Sequence, residues 1–161
     1  MLKCIKKMGY NMRKIFLVFL VVSNLLFSYK VVHVSDGDTI TIMMNGEKQK
    51  IRLYGIDTPE INQSFGTEAK QFLSDQILNR EVEIEVKNTD RYKRLVAIVY
   101  LNNRSMNELL LKEGWAWWYE AYAKKEYKYK ELQEEAQKRK RGMWRNKGNI
   151  PPWEFRRTKK K

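Results

Sequence analysis

Asn45-Gly46 separates the strand-like run Thr39–Met44 (T-I-T-I-M-M) from Glu47–Leu53 (E-K-Q-K-I-R-L). Asn-Gly is favoured where both residues of a two-residue hairpin loop need positive φ, so the runs are expected to pair antiparallel. Ile40 and Ile42 then share one face of the outgoing strand, and its Asp38-Thr39 end meets the Arg52 end of the returning strand. The returning chain reads on as Ile51–Glu60, I-R-L-Y-G-I-D-T-P-E, with Ile51, Leu53 and Gly55 on one side and Arg52 and Tyr54 on the other. Pro59 has no N–H and biases Thr58 towards an extended conformation, which predicts a strand end near Asp57. Local topology alone thus gathers Asp38, Arg52 and Asp57, with Thr58 and Glu60 on the turn beyond. Read by itself, the stretch is equally a solvated charged turn.

The remaining pattern supplies a fold. Val31–Val34 reads as a strand, and Asp36-Gly37-Asp38 as a turn with Gly37 available for positive φ. After the polar loop Asn62–Thr67, Ala69, Phe72, Leu73 and Ile77 recur at helical spacing, with Thr67 or Ser64 as the cap. Glu81–Val86 alternates with Val82, Ile84 and Val86 inward. A polar turn, Asn88–Lys93, leads into the β-branched run Arg94–Leu101. Ser105 and Glu108 form a capping box for a helix through Met106, Leu109 and Leu110 that Gly114 ends. Lys125–Arg141 is predicted to be a third helix, burying Tyr129, Leu132 and Ala136. Five strands, mostly joined by hairpins, with about three helices indicate an α+β chain. The expected architecture is a five-stranded OB-fold barrel, whose face commonly binds oligonucleotides.

Lys+Arg 32 against Asp+Glu 19 gives a net charge of +13, which points to a polyanionic partner, either nucleic acid or anionic lipid. One cysteine, Cys4, and one histidine, His33, rule out an internal disulfide and a Cys/His metal cluster, and disfavour Ser/His or Cys/His nucleophilic chemistry. Carboxylates and arginines must carry any reaction. Lys3, Lys6, Lys7, Arg13 and Lys14 precede the apolar run Ile15–Val22 and Leu25–Phe27, as in an export signal. Residues 1–28 are therefore read as a signal peptide or an uncleaved membrane anchor, with 15–27 as the tether, and Met12 is an alternative start. Residues 29–150 would be the domain and 151–161 a basic tail, with Pro151-Pro152 breaking the chain. The expected location is exported, secreted or periplasmic, or membrane-anchored. A monomer without a protein partner is expected.

D-G-D-T at Asp36–Thr39, R-L with I-D-T-P-E at Arg52–Glu60, and D-R-Y-K-R at Asp90–Arg94 together resemble the staphylococcal nuclease (thermonuclease) family, in the same order over about Val31–Trp144. The closing P-P-W-E-F-R-R resembles the tail of its bacterial members. The resemblance implies a Ca2+-dependent phosphodiesterase acting on DNA and RNA, single-stranded or locally opened, and leaving 3′-phosphate ends. It implies Asp38, Asp57 and the Thr58 carbonyl as calcium ligands, with Asp36 a nearby acid acting through water. Glu60 matches the general base, and Arg52 and Arg94 match the arginines that hold the phosphate. Where the family has glycine before the second arginine, this chain has Lys93, whose positive φ would cost about 1 kcal/mol and disturb Arg94. Lys93 is otherwise a further phosphate contact.

The residue chemistry is consistent with that activity. A hard cation held by carboxylate and carbonyl oxygens supplies Lewis acidity. Arginine offers phosphate a rigid donor fork. Glu60, beyond Pro59, serves as base or as a direct metal ligand. Trp115, Trp117, Trp118, Tyr119 and Tyr122 read first as core filling, with Tyr119 or Tyr122 the candidates for base stacking. Lys124, Lys125 and Lys128 read as a solvated helix face, and Trp144 and Trp153 as packing anchors. Arg156–Lys161 is expected to be disordered. The alternative function is a non-catalytic OB-fold module that binds nucleic acid; a membrane-tethered interaction protein would explain the N-terminus but not the D-T-P-E cluster.

Overall fold

The structure, a computed structural model, describes residues 28–159. Residues 1–27 of the signal or tether segment, the tether 15–27 included, and Lys160-Lys161 lie outside the described residues, while Ser28 is the first residue of a strand. In chain order the elements are β1 (Ser28–Val34), β2 (Thr39–Met44), β3 (Glu47–Leu53), β4 (Ile56–Asp57), α1 (Gly66–Ile77), β5 (Glu81–Thr89), β6 (Leu95–Leu101), β7 (Arg104–Ser105), α2 (Met106–Lys112), β8 (Trp117–Trp118), α3 (Tyr127–Lys138), a 3-10 turn at Gly142–Arg145, and α4 (Pro152–Thr158).

The hairpin forms as its loop dictates: Asn45 and Gly46 take φ of 52° and 83°, and the register runs from Met44↔Glu47 to Thr39↔Arg52. The wall is ordered β3-β2-β1-β5-β6, and β3 also pairs with β6 in parallel, Arg52 opposite Val96. The five long strands therefore close into a barrel with no free wall edge, as expected of an OB-fold. Ile40, Ile42, Ile51, Leu53, Val31, Val82, Ala97 and Val99 fill its interior. Each large apolar side chain buried there contributes about 1.5–3 kcal/mol. Helix α2 packs on β6 and on α3, with Tyr129 and Ala136 buried as anticipated and Leu132 half-buried against them. Among the described residues no helix is long and apolar enough to cross a membrane.

Four local expectations are corrected. Strand β3 ends at Leu53, not near Asp57; the chain turns at Tyr54-Gly55, and Ile56–Asp57 pairs instead with Trp117–Trp118, Asp57 opposite Trp117. Helix α1 is capped by neither Ser64 nor Thr67. Phe65 is its cap, at φ 69°, because hydrogen bonds from Gln63 N to the Glu60 carbonyl and from Gly66 N to the Gln63 carbonyl wind the preceding loop tightly. Strand β5 continues to Thr89, with a register irregularity between Val86 and Asn88, and Val86 is exposed rather than inward, as is the whole second half of the strand. The tail forms a fourth helix in place of disorder: Pro152 stands at its N1/N2 end, where the fixed φ suits a helix start and the missing N–H costs nothing.

Asn107 connects the barrel to the turn that precedes β4. Fully buried, it accepts from Val99 N at 3.0 Å and donates to the Tyr54 carbonyl at 2.8 Å. Asn107→Ala leaves both backbone groups unpaired in the interior, and urea unfolding is expected to show a loss of about 1–3 kcal/mol.

Candidate functional site

Three chain segments converge at one end of the hairpin. The hairpin register sets Arg52 against Thr39, and Leu53 N donates to the Asp38 carbonyl at 2.8 Å. Beyond Gly55, the β4–β8 pair holds Asp57 in place, so that the side chains of Asp38 and Asp57 face the Arg52 guanidinium from two sides. Arg52 Nη1 lies 2.9 Å from Asp38 Oδ2 and Nη2 lies 2.9 Å from Asp57 Oδ1. Nη1 also donates to the Leu53 carbonyl at 3.2 Å. Thr58 completes the link: its N–H and its hydroxyl both donate to Asp38 Oδ2, at 2.8 and 3.1 Å.

The Asp36-Gly37-Asp38 turn fits beneath Thr58, with Asp38 N donating to Asp36 Oδ1 at 3.0 Å. Gly37 does not have the positive φ foreseen for it. It is needed for close approach: a Cβ there would lie 2.7 Å from Thr58 Oγ1 and 3.0 Å from Ala69 Cβ. Burial, and next the charge of Asp38, push the Asp36 carboxyl up to about 7. Burial raises Asp57 as well, opposed by a hydrogen bond from Arg156 and reinforced by Asp38. Carboxylates crowded in this way are relieved by a cation among them.

Glu60 stands at the rim, its side chain 40% exposed, against 3% for Asp57. Its backbone is positioned by Gln63, whose Oε1 accepts from Glu60 N at 3.1 Å. Arg94 is placed differently. It lies just ahead of Leu95, the partner of Ile51, and its Nε is 2.7 Å from Asp90 Oδ2, so its guanidinium is bound to its own turn and not to the acid cluster. Lys93 adopts φ 61°, the strained conformation anticipated for a lysine in the family's glycine position. The turn nonetheless closes, with Lys93 N bonded to the Asp90 carbonyl and Asp90 N to the Arg94 carbonyl, each at 3.0 Å.

The aromatic cluster is half-buried, apart from Tyr122. Trp117 meets Trp144 and Trp153 edge-on, and Tyr119 stacks on Trp153 at 5.2 Å with planes 3° apart, which covers one face of that candidate ring. Tyr122 packs on Tyr119 with ring centroids 4.8 Å apart and is 70% exposed.

One residue of the site escaped the sequence reading. Arg156, from the tail expected to be disordered, places Nη2 2.7 Å from Asp57 Oδ2 and Nη1 2.7 Å from Glu60 Oε1. The available signal was P-P-W-E-F-R: a helix started by Pro152 sets Trp153 and Arg156 one turn apart on a single face.

The donor set is all oxygen. Asp38 and Asp57, the Thr58 carbonyl and, through water, Asp36 suit a hard divalent cation, which takes about six to eight oxygen ligands. Among the described residues no three His, Cys, Asp or Glu side chains converge to enclose a metal by themselves, so a cation here would rely on main-chain and water oxygens as well. Such a partly open shell leaves positions for substrate.

A closed OB-type barrel carrying an acid–arginine cluster at one end has the oxygen and guanidinium groups that phosphodiester chemistry requires. Comparison with known proteins agrees. Residues 50–146 match the family model described as staphylococcal nuclease homologue. The chain is 34% identical over 144 residues to the micrococcal nuclease of Shigella flexneri, covering 83% of each chain. It is 38% identical over 131 residues to the thermonuclease of Staphylococcus hyicus, covering 74% of this chain and 76% of that one. It is 39% identical over 132 residues to an uncharacterized endonuclease of Haemophilus influenzae, covering 81% and 74%. The chain belongs to the staphylococcal nuclease family and is a hydrolase of the nuclease type.

Gly37→Ala tests the packing of the site. The added methyl group is expected to cost about 1–3 kcal/mol in urea unfolding and to weaken divalent-cation binding measured by calorimetry, because it pushes Thr58 away from Asp38.

Proposed function

We propose that this nuclease is Ca2+-dependent, hydrolyses single-stranded or locally opened DNA and RNA, and leaves 3′-phosphate ends. The observation that carries the reading is the Arg52 guanidinium joined to both Asp38 and Asp57, with Glu60 at the rim of the same cluster. Asp38, Asp57 and the Thr58 carbonyl would hold calcium, which supplies Lewis acidity towards a phosphoryl oxygen. Arg52 keeps N–H groups beyond those given to the acids and offers them to the non-bridging phosphate oxygens, where charge grows in the transition state. Glu60 takes the proton of the attacking water. The new bond is from water oxygen to phosphorus, the P–O5′ bond breaks, and the 5′ oxygen leaves with a proton drawn from solvent, so the phosphate stays on the 3′ side. Arg94 reaches the same phosphate on leaving Asp90, and Tyr122 offers a face to a neighbouring base.

Basic residues followed by the apolar run Ile15–Val22 support export, with 15–27 as a tether if the segment is retained. The protein is proposed to act as a monomer.

Incubation with single-stranded DNA and calcium is expected to give cleavage that EGTA abolishes, with 3′-phosphate products detected by end-group analysis. Binding without cleavage at every calcium concentration would instead support a non-catalytic module. Glu60→Ala is expected to lower the cleavage rate by about 10²–10⁴-fold while largely sparing DNA affinity; a fully active variant would remove Glu60 from the role of base. Affinity is expected to fall steeply with added salt, as counterion release requires.

A further inference from the structure

Arg156 has no part in the reaction as described, yet it touches two of the residues that do. It is 96 residues from Glu60 in the chain and is carried by α4. That helix is fixed by several independent contacts. Pro152 is buried, Trp153 stacks on Tyr119 and meets Trp117 edge-on, and Gln63 Nε2 donates to the Ile150 carbonyl at 2.8 Å. Gln63 is also the residue that accepts from Glu60 N, so the loop bearing Glu60 and the segment leading to α4 are joined by a single side chain.

The three arginines at this end of the barrel differ in what they can offer a ligand. Arg52 is 15% exposed and spends N–H groups on Asp38, Asp57 and the Leu53 carbonyl. Arg94, at 27%, is bound to Asp90. Arg156 is the most open, at 41%, and its fork is directed at Asp57 Oδ2 and Glu60 Oε1. A phosphodiester presents two non-bridging oxygens with much the same spacing as the two oxygens of one carboxylate, and a guanidinium binds both groups. Asp57 Oδ2 cannot serve a dication and a guanidinium at full strength together. With the acids already crowded, the doubly charged ion is the stronger competitor for that oxygen.

We propose that Arg156 is a third substrate-binding arginine, held on Asp57 and Glu60 in the free protein and transferred to a non-bridging phosphate oxygen when the cation takes the Asp57 carboxylate. The fixed helix keeps the released guanidinium beside the site, and the same transfer frees Glu60 to accept a proton. The proposal rests on the calcium-nuclease reading above.

The test compares full-length wild type with Arg156→Gln and with Arg157→Gln, a loss of equal charge at the next, exposed position of the helix. Affinity for a cleavage-resistant phosphorothioate single strand is measured in calcium by fluorescence anisotropy, and calcium binding without DNA by calorimetry. Arg156→Gln is expected to weaken DNA binding roughly tenfold and to leave calcium affinity equal or tighter, while Arg157→Gln stays within about twofold of wild type for DNA. Equal DNA affinity in the two variants would overturn the proposal. So would a loss of calcium affinity in Arg156→Gln, which would make the residue an organiser of the carboxylates. Should Arg156→Gln unfold early, Arg156→Lys carries the same comparison: it keeps the charge without the fork and must bind DNA more weakly than Arg157→Gln. If wild type does not cleave, the nuclease reading fails, whereas the DNA affinities still decide the role of Arg156.

Discussion

The guanidinium of Arg52, set between Asp38 and Asp57, is the interaction on which the functional end of this barrel depends. Both acids are almost fully buried, and a buried carboxylate without a partner costs several kcal/mol. Such a grouping survives only if the backbone delivers all three side chains together. The Asn45-Gly46 loop does this for Asp38 and Arg52, through the register that pairs Thr39 with Arg52. The short β4–β8 pair does it for Asp57, and Thr58 adds two donors to Asp38. The barrel closes beside the cluster where β3 meets β6 in parallel, so the arginine stands on a wall strand bonded on both sides.

On the proposed reading, that arrangement would also favour an added cation. Arg52 supplies one positive charge to acids whose mutual repulsion and burial already raise Asp36 and Asp57. Arg156 supplies another from the far end of the chain. The site therefore contains arginines that balance carboxylates and, on the proposed reading, exchange them for a calcium ion and a phosphate.

Much of this was legible in local sequence. An Asn-Gly loop between two strand-like runs specifies a hairpin, and a hairpin specifies which residues face each other at its open end, so Asp38 and Arg52 could be grouped without knowing the rest of the fold; Asp57 joins them through the β4–β8 pair, which local sequence does not mark. The Ser105–Glu108 cap was equally local, Ser105 Oγ accepting from Glu108 N at 3.2 Å. What escaped notice depends on contacts between distant segments. Trp117-Trp118 has no periodicity that marks it as a strand; it is one because Ile56–Asp57 lies beside it. Val86 alternates with Val82 and Ile84, but periodicity does not report that the second half of β5 is exposed. Arg156 lay in a basic tail of unremarkable composition, and its ion pair with Asp57 spans 99 residues. Lys93 was legible as a departure, and its positive φ shows that the turn tolerates the strain by way of the Asp90 hydrogen bonds.

On the proposed reading, Asp38 and Asp57 form one cation site at the hairpin's open end. Calcium titration by calorimetry of wild type, Asp38→Asn, Asp57→Asn and Asp90→Asn tests it most directly, with folding checked by circular dichroism. One calcium per chain is expected, lost in the first two variants and kept in the third, whose carboxylate serves the Arg94 turn. Undiminished calcium binding in folded Asp38→Asn and Asp57→Asn would contradict it.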